Sequence, residues 1–166
     1  MTEDEIQKIN KFCERYQIMN YTINDDELSD DYGSIDVDGT VYLVRIGITK
    51  FPIKFNKVTG DFNCYSSGLT TLEGSPKYVG GNFDCTSNKI YTLEGFNSEI
   101  VDFFYCYDNP IENLINNGVD SDFIKAFNAF KVVKDKVVNL KRLKYVMSIF
   151  GEPVYLDLIK KHYTIV

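Results

Sequence analysis

The chain has 166 residues, of which 44% are hydrophobic, 25% charged and 14% aromatic. This composition excludes a disordered or collagen-like chain, and no apolar run reaches the roughly 20 residues that a membrane-spanning helix requires. The net charge of −6 is uneven: residues 1–118 hold 9 basic and 19 acidic side chains, and residues 119–166 hold 9 and 5. An acidic body argues against general binding to nucleic-acid phosphates. The N-terminus is acidic, unlike a secretory leader. No membrane or nucleic-acid partner is therefore expected, and we expect the chain in the cytoplasm.

The first predicted element is an amphipathic helix over residues 4–18, followed by a short strand at residues 21–23 and an acidic loop at residues 25–31. The apolar residues of the helix recur at helical spacing: Ile6, Ile9, Phe12, Cys13 and Tyr16. Cys13 is expected to pack with this face, because a free cysteine is usually buried. The acidic loop lacks the spacing of a calcium-binding loop, so we expect it to be solvated; the alternative is a contact for a basic partner.

A repeat of 21 residues occupies the middle of the chain, where Cys64, Cys85 and Cys106 recur at that interval. Four other apolar positions align with the cysteines: Phe62, Phe83 and Phe104; Val58, Val79 and Ile100; Leu69, Ile90 and Ile111; Leu72, Leu93 and Leu114. A degenerate copy precedes them at residues 37–51. A fixed period of this length indicates a solenoid, in which each repeat stacks on the next.

Each copy begins with Phe-x-Cys, which predicts a short strand with both side chains pointing inward. Asn88 and Asn109 follow three residues after the cysteine, and Ser67 replaces asparagine in the first full copy. An asparagine amide can satisfy backbone groups of its own loop and of adjacent turns. A ladder of two asparagine rungs is therefore predicted. The repeat glycines are expected in the return path, where a positive φ is needed: Gly60, Gly74, Gly80, Gly81 and Gly95.

This pattern resembles the leucine-rich repeat, whose unit reads L-x-L-x-x-N/C-x-L. More narrowly, the segment LEGSPKYVGG at residues 72–81 resembles short repeat proteins encoded by bacteriophages and bacteria, and residues 33–39 and 51–55 are similar to the same group. The resemblance implies an α/β repeat fold, a short leucine-rich-repeat-like parallel β-solenoid. It implies no particular activity.

Because a short solenoid exposes its core at both ends, we predict N-terminal and C-terminal helical caps. The predicted domains are an N-terminal helix and cap at 1–32, the leucine-rich-repeat-like solenoid at 33–114 and a helical C-terminal cap at 115–166.

The C-terminal cap is predicted to contain two helices and a last segment after Pro153. Ser121 is expected to cap the first helix, whose Phe123, Phe127 and Phe130 share one face. The second runs from residue 140 to about residue 150 and stops at Gly151.

The sequence offers little for catalysis. The repeat thiols should stack in one file about 4.8 Å apart, which suits neither a tetrahedral zinc site nor disulfide geometry. A buried thiol ladder is predicted, with a redox or metal role as the alternative. His162 is the only histidine, and no nucleophile or phosphate-loop motif accompanies it. No catalytic residue, metal ligand or cofactor is predicted, and the protein is not expected to be an enzyme.

Strand alternation places the residues between the inward ones on the outer sheet face. The residues predicted to bind a partner there are Tyr42, Asp61, Asn63, Tyr65, Asp84, Phe103, Tyr105 and Tyr107. Exposed tyrosines among acidic and amide side chains are typical of protein-binding hot spots. Two alternatives stay open: the C-terminal helices cover part of this face, or the aromatic rings stabilise cross-strand pairs.

The favoured function is a non-enzymatic protein–protein interaction module, a phage factor that binds a host or phage protein through the sheet face in the host cytoplasm. One alternative is a nucleic-acid-binding protein; the other is an enzyme or a small-ligand-binding protein. The nucleic-acid alternative would use a basic strip: Lys131, Lys134, Lys136, Lys141, Arg142 and Lys144. The other interpretation of this strip is a solvated helical face.

Overall fold

The computed structural model describes residues 1–115, 119 and 121–166. In chain order, the elements up to the end of the repeats are α1 (Glu3–Arg15), β1 (Tyr21–Ile23), β2 (Ser34–Val37), β3 (Val41–Tyr42), β4 (Lys54–Val58), β5 (Phe62–Asn63), β6 (Tyr78–Val79), β7 (Phe83–Asp84), β8 (Glu99–Ile100), β9 (Phe104–Tyr105) and a 3-10 helix (Pro110–Asn113). The C-terminal elements are α2 (Ser121–Ala129), β10 (Val133–Lys134), β11 (Val137–Val138), α3 (Leu140–Phe150), α4 (Leu156–Ile159) and β12 (Thr164–Ile165). Among the residues described, no helix combines the length and apolar character needed to cross a membrane.

The repeats form a parallel β-solenoid with helices in the N-terminal and C-terminal regions, which confirms the predicted α/β repeat fold. Strands β2, β4, β6 and β8 pair in parallel in a first sheet, and β3, β5, β7 and β9 pair in parallel in a second sheet. Phe62 is in register with Phe83, and Phe83 with Phe104. Residues one sequence period apart are therefore paired in the sheets. Each turn of the solenoid corresponds to one repeat and is called a coil below.

The second sheet contains the predicted Phe-x-Cys strands, whereas the first sheet was not predicted from the sequence. The repeat pattern marked Val58, Val79 and Ile100 as an aligned apolar position, and the structure buries them in strands of the first sheet. Two of these strands have only two residues each. So short a strand offers no alternating pattern by which it could be recognised.

The interior of the solenoid is a stack of identical side chains. The ring centroids of Phe62 and Phe83 lie 5.1 Å apart, and those of Phe83 and Phe104 lie 5.6 Å apart. The leucine and isoleucine positions of the repeat are also almost completely buried: Leu69, Leu72, Ile90, Leu93, Ile111 and Leu114. Each such side chain contributes roughly 1.5–3 kcal/mol when it leaves water.

Asn88 joins two coils through its buried side chain. Its Oδ1 accepts a hydrogen bond from the Leu69 amide at 2.9 Å. Its Nδ2 donates to the carbonyl groups of Cys64 and Cys85 at 3.0 and 2.8 Å. The amide thus satisfies backbone groups that would otherwise be buried without partners.

Asn109 repeats this arrangement one coil further along, bonding the backbone of Ile90, Cys85 and Cys106. Ser67, at the equivalent position of the preceding coil, donates to the Leu43 carbonyl. A hydroxyl can bond fewer backbone groups than an amide can. The hydrogen bonds of Asn88 and Asn109 confirm the predicted ladder of two asparagine rungs.

The repeat glycines serve two purposes, and the expectation of a positive φ holds for only some of them. Gly74 and Gly95 have φ values of 85° and 77°. Gly60, Gly80 and Gly81 lie outside the positive-φ region. A Cβ atom on Gly80 would lie 2.1 Å from the carbonyl oxygen of Thr59. These corners between the sheets therefore require glycine because successive coils stack too closely for a side chain.

The N-terminal segment closes the leading end of the solenoid, as predicted. Thr2 and Glu5 form a capping box at the start of α1. The buried residues of α1 are Ile9, Phe12 and Cys13, whereas Ile6 and Tyr16 are only partly buried. The predicted strand β1 is confirmed, and it pairs antiparallel with β2 at the edge of the first sheet.

The C-terminal cap contains a third sheet, of order β10-β11-β12, in addition to the predicted helices. Helix α3 spans the predicted residues and ends at Gly151, which has a φ of 71°. The sheet was not predicted, because each of its strands has only two residues. Residues 116–118 and 120 of the predicted cap lie outside the described residues, and the three predicted domain limits stay predictions.

Two details of α2 differ from the predictions. Ser121 is the first residue of α2, and its Oγ accepts a hydrogen bond from the Ile100 amide at 2.8 Å. Ser121 therefore provides a hydrogen-bond partner for the backbone amide of the last strand of the first sheet. Phe130 follows the end of α2, is 39% exposed and contacts the ring of Tyr145 at 5.1 Å, so it does not share the buried face of the helix.

The asparagine rungs give the first prediction. Replacing Asn88 with alanine leaves the Leu69 amide and the Cys64 carbonyl buried without partners, whereas the Cys85 carbonyl keeps its bond from Asn109. The free energy of unfolding should therefore fall by about 2–4 kcal/mol. Urea unfolding of the two proteins measures this difference. Asn97→Ala is the matched control, because Asn97 is exposed and should change stability by less than about 0.5 kcal/mol. Equal effects of the two substitutions would contradict the ladder.

Candidate functional site

The outer face of the second sheet brings all eight predicted site residues onto one surface. Along β7 the buried Phe83 and Cys85 flank the partly exposed Asp84, and the other coils alternate in the same way. The outward residues form three files: Thr40, Asp61, Asn82 and Phe103; Tyr42, Asn63, Asp84 and Tyr105; Val44, Tyr65, Thr86 and Tyr107. What these residues bind stays a prediction.

Three aromatic residues of the last coil form an aromatic strip, consisting of Phe103, Tyr105 and Tyr107. The ring centroids of Phe103 and Tyr105 lie 6.0 Å apart. Those of Tyr105 and Tyr107 lie 6.2 Å apart, with an angle of 16° between the ring planes. The strip is a continuous aromatic surface along the last coil of the sheet face.

The C-terminal helices leave the aromatic side chains of this face accessible. Phe103 is 52% exposed, Tyr107 is 46% exposed and Tyr42 is 63% exposed. Tyr65 and Tyr105 are partly buried. Side chains covered by a packed helix would not keep this exposure, so the C-terminal helices do not cover Tyr42, Phe103 and Tyr107.

The ring contacts of the strip run along one strand and not across strands. Tyr65 and Tyr107 belong to the same file, but they are separated by Thr86 of the coil between them. Among the described residues, no aromatic pair joins two coils on this face. The alternative in which the aromatic residues serve as cross-strand pairs therefore has no contact to support it.

The polar residues of the face are tied to the backbone. Asn63 Oδ1 accepts a hydrogen bond from the Tyr65 amide at 3.0 Å, and Asp84 Oδ1 accepts one from the Thr86 amide at 2.9 Å. Asp61 Oδ1 accepts from the Asn82 amide of the next coil at 2.7 Å. These side chains are held in place before any partner arrives.

Arg45 belongs to the same face and was not predicted from the sequence. Its guanidinium carbon lies 5.7 Å from the centroid of the Tyr65 ring. Arg45 has a φ of 57°, and the residues at the same position of the later coils also have positive φ: Ser66, Ser87 and Asp108. This position aligns by the 21-residue period, so the repeat itself contained the signal for a shared turn. The chemical identity of each residue at the turn then varies freely.

The acidic residues of the face have no cationic partner in the described part of the chain. The two ion pairs there join the N-terminus to Glu27 and Lys125 to Asp122. Neither pair includes Asp61 or Asp84. The face therefore presents negative charge beside apolar rings.

The cysteine ladder lies directly beneath this face. None of Cys64, Cys85 and Cys106 forms a disulfide, and all three are fully buried. Burial raises the pKa of the Cys64 and Cys85 thiols well above the ordinary value of 9.0, and the negative charge of Asp84 adds to the effect. The thiols are therefore protonated and inert at neutral pH.

The other candidate groups are on the surface of the C-terminal cap. All six residues of the basic strip are exposed, and Lys131, Lys134 and Arg142 line a depression of about 260 Å³. His162 is exposed as well. Across the described ranges, no group of three histidine, cysteine or acidic residues is placed to hold a metal ion.

Comparisons with protein-family models, with curated protein sequences and with solved structures give no match to this chain.

The buried thiols predict a pH dependence of stability. As the pH rises above about 9, the unfolded chain loses its thiol protons while the folded chain keeps them. The free energy of unfolding therefore keeps its full value below this pH. Above this pH, it falls by up to about 1.4 kcal/mol per pH unit for each buried thiol. Cys85→Ala removes one thiol. Between about pH 9 and 10.5, the free energy of unfolding of this variant should therefore fall with pH less steeply than that of the wild-type protein, by up to about 1.4 kcal/mol per pH unit. Urea unfolding at several pH values measures both slopes.

Alkylation of wild-type protein provides an independent check on the same thiols. Iodoacetamide should modify Cys85 only after unfolding. Equal pH slopes for wild type and variant, together with rapid alkylation of the native protein, would contradict the buried ladder.

Proposed function

We propose that this protein is a non-enzymatic protein–protein interaction module that binds its partner through the outer face of the second sheet. The observation that carries the proposal is the aromatic strip, whose three rings are in contact and two of which are about half exposed. Tyrosine and phenylalanine offer a large contact area with few rotatable bonds, and binding hot spots are rich in such residues.

The resemblance of the repeats supports a narrower proposal, in which the protein is a leucine-rich-repeat-like phage factor that acts on a host or phage protein. The buried rungs of Asn88 and Asn109 agree with the role that asparagine has in that repeat. None of the four cysteines forms a disulfide in the described structure, which suits the reducing cytoplasm of a host cell.

The non-enzymatic part of the proposal is supported by the state of the nucleophile candidates. The repeat cysteines are buried and protonated, so they cannot attack a substrate. His162 is exposed, and its side chain makes no hydrogen bond in the described structure. No neighbouring group therefore orients its imidazole to act as a general base.

A nucleic-acid partner is the alternative, and it would use the basic strip of the C-terminal cap. Those side chains are exposed, but they belong to a chain with a net charge of −6. Because the strip and the sheet face lie on different elements, substitutions in one leave the other unchanged, and binding experiments can separate the two functions.

Alanine substitutions in the aromatic strip test the proposal. The wild-type protein is used to capture its partner from the native host, and the purified partner is then titrated with each variant. We expect Tyr105→Ala and Tyr107→Ala to weaken binding about 30-fold or more, as hot-spot truncations do. Binding should also weaken as salt rises, because the face is acidic.

Tyr155→Ala is the matched control, since Tyr155 is 56% exposed on the C-terminal cap and should leave the affinity unchanged. Thermal melts of all three variants should stay close to wild type. If melting temperatures fall and affinities do not, or if only charge reversals in the basic strip weaken binding, the sheet face is not the binding site.

A further inference from the structure

Asp84 lies near the centre of the sheet face, beside the aromatic strip. It is in register with Asn63 of the preceding coil and with Tyr105 of the following coil. Its side chain is partly buried, and among the described residues no lysine or arginine pairs with it. A carboxylate that is partly removed from water without a counter-charge is costly, so its presence needs a reason.

The local backbone does not supply that reason. Asp84 Oδ1 accepts the Thr86 amide, but Asn63 Oδ1 accepts the Tyr65 amide in the same way one coil earlier. An uncharged amide therefore satisfies the same turn. The charge of Asp84 and its second oxygen, Oδ2, which has no donor among the described residues, are not needed for the fold.

The surroundings of Asp84 are those that favour a planar cation. Tyr105 is its neighbour in the file, and the ring of Tyr105 lies nearly parallel to that of Tyr107, with the two centroids 6.2 Å apart and 16° between the ring planes. Aromatic faces attract cations, and guanidinium groups stack on them well. The same sheet face already holds one guanidinium in this way, because Arg45 lies over the ring of Tyr65.

We propose that Asp84 and the ring of Tyr105 form a recognition site for an arginine side chain of the partner. The guanidinium would donate to Asp84 Oδ2 while its plane stacks on Tyr105. Arginine is favoured over lysine because its planar group can make both contacts at once, whereas an ammonium acts as a compact point charge. This inference rests on the proposed function and adds the chemistry of the bound residue.

The first experiment uses the full-length, isotope-labelled protein and the peptide Ac-Gly-Gly-Arg-Gly-Gly-NH2. Its matched probe carries citrulline in place of arginine, which keeps the shape and removes the charge. We expect the arginine peptide to shift the amide signal of Thr86 and the ring signals of Tyr105. The citrulline peptide should bind about tenfold more weakly or worse.

Asp84→Asn is the matched variant, because asparagine keeps the acceptor for Thr86 as Asn63 does for Tyr65. It should lose the preference for arginine over citrulline while melting at the wild-type temperature. Glu94→Gln, which removes an exposed charge in the return path, is the control for net charge and should keep the preference. Loss of the preference in Asp84→Asn alone supports the site.

Several results would overturn the inference. These are equal shifts with both peptides, absence of shifts at Thr86 and Tyr105, shifts confined to the acidic loop at residues 25–31, and wild-type behaviour of Asp84→Asn. The partner titration separates this failure from failure of the proposed function. If Tyr107→Ala weakens partner binding and Asp84→Asn does not, the arginine site is wrong and the sheet face still binds the partner. If neither does, both are wrong.

Discussion

Backbone hydrogen bonds between successive coils are the constraint on which the rest of this structure depends. The amides of Val41, Phe62 and Phe83 each donate to a carbonyl of the next coil at 2.9 Å. Because these bonds join residues about one period apart, every position of the repeat recurs on the same side of the solenoid. A shift of one residue would turn the inward phenylalanines and cysteines outward. The corners obey the same constraint, since the coils approach so closely at Gly80 that no side chain fits.

The two ends of the solenoid require separate solutions, because stacked coils leave unpaired strands and apolar side chains exposed there. At the leading end, β1 pairs with the first sheet and α1 buries Phe12 against Phe55 at a centroid distance of 6.4 Å. At the trailing end, Ser121 bonds the last strand of the first sheet, and Val119 forms a bridge with Phe104 of the second. Both sheets thus receive polar partners at that end.

The separation of inward and outward positions explains how one repeat can hold both a fixed core and a variable surface. Inward residues must match those of neighbouring coils, so phenylalanine and cysteine recur there. Outward residues meet only their neighbours on the sheet and the solvent, and their identities differ from coil to coil. Asp84 and the aromatic strip belong to this variable set, together with Arg45 at the turn. The fold places few demands on the chemistry of these positions, because their side chains lie outside the core.

The sequence by itself determined the 21-residue period, the buried phenylalanines and cysteines of the repeats, the two asparagine rungs, β1 and the extent of α3. It also predicted helix α1, but over residues 4–18, whereas the helix ends at Arg15. Each of these depends on patterns within a short segment or on the repetition of one segment. Tertiary structure decided the rest: the first and third sheets, the close approach at Gly80, the partner of Ser121, the exposure of Phe130 and the accessibility of the aromatic strip. A strand of two residues has no pattern of its own, and the exposure of a side chain depends on elements distant in sequence. These features arise only when the coils and the C-terminal cap pack together.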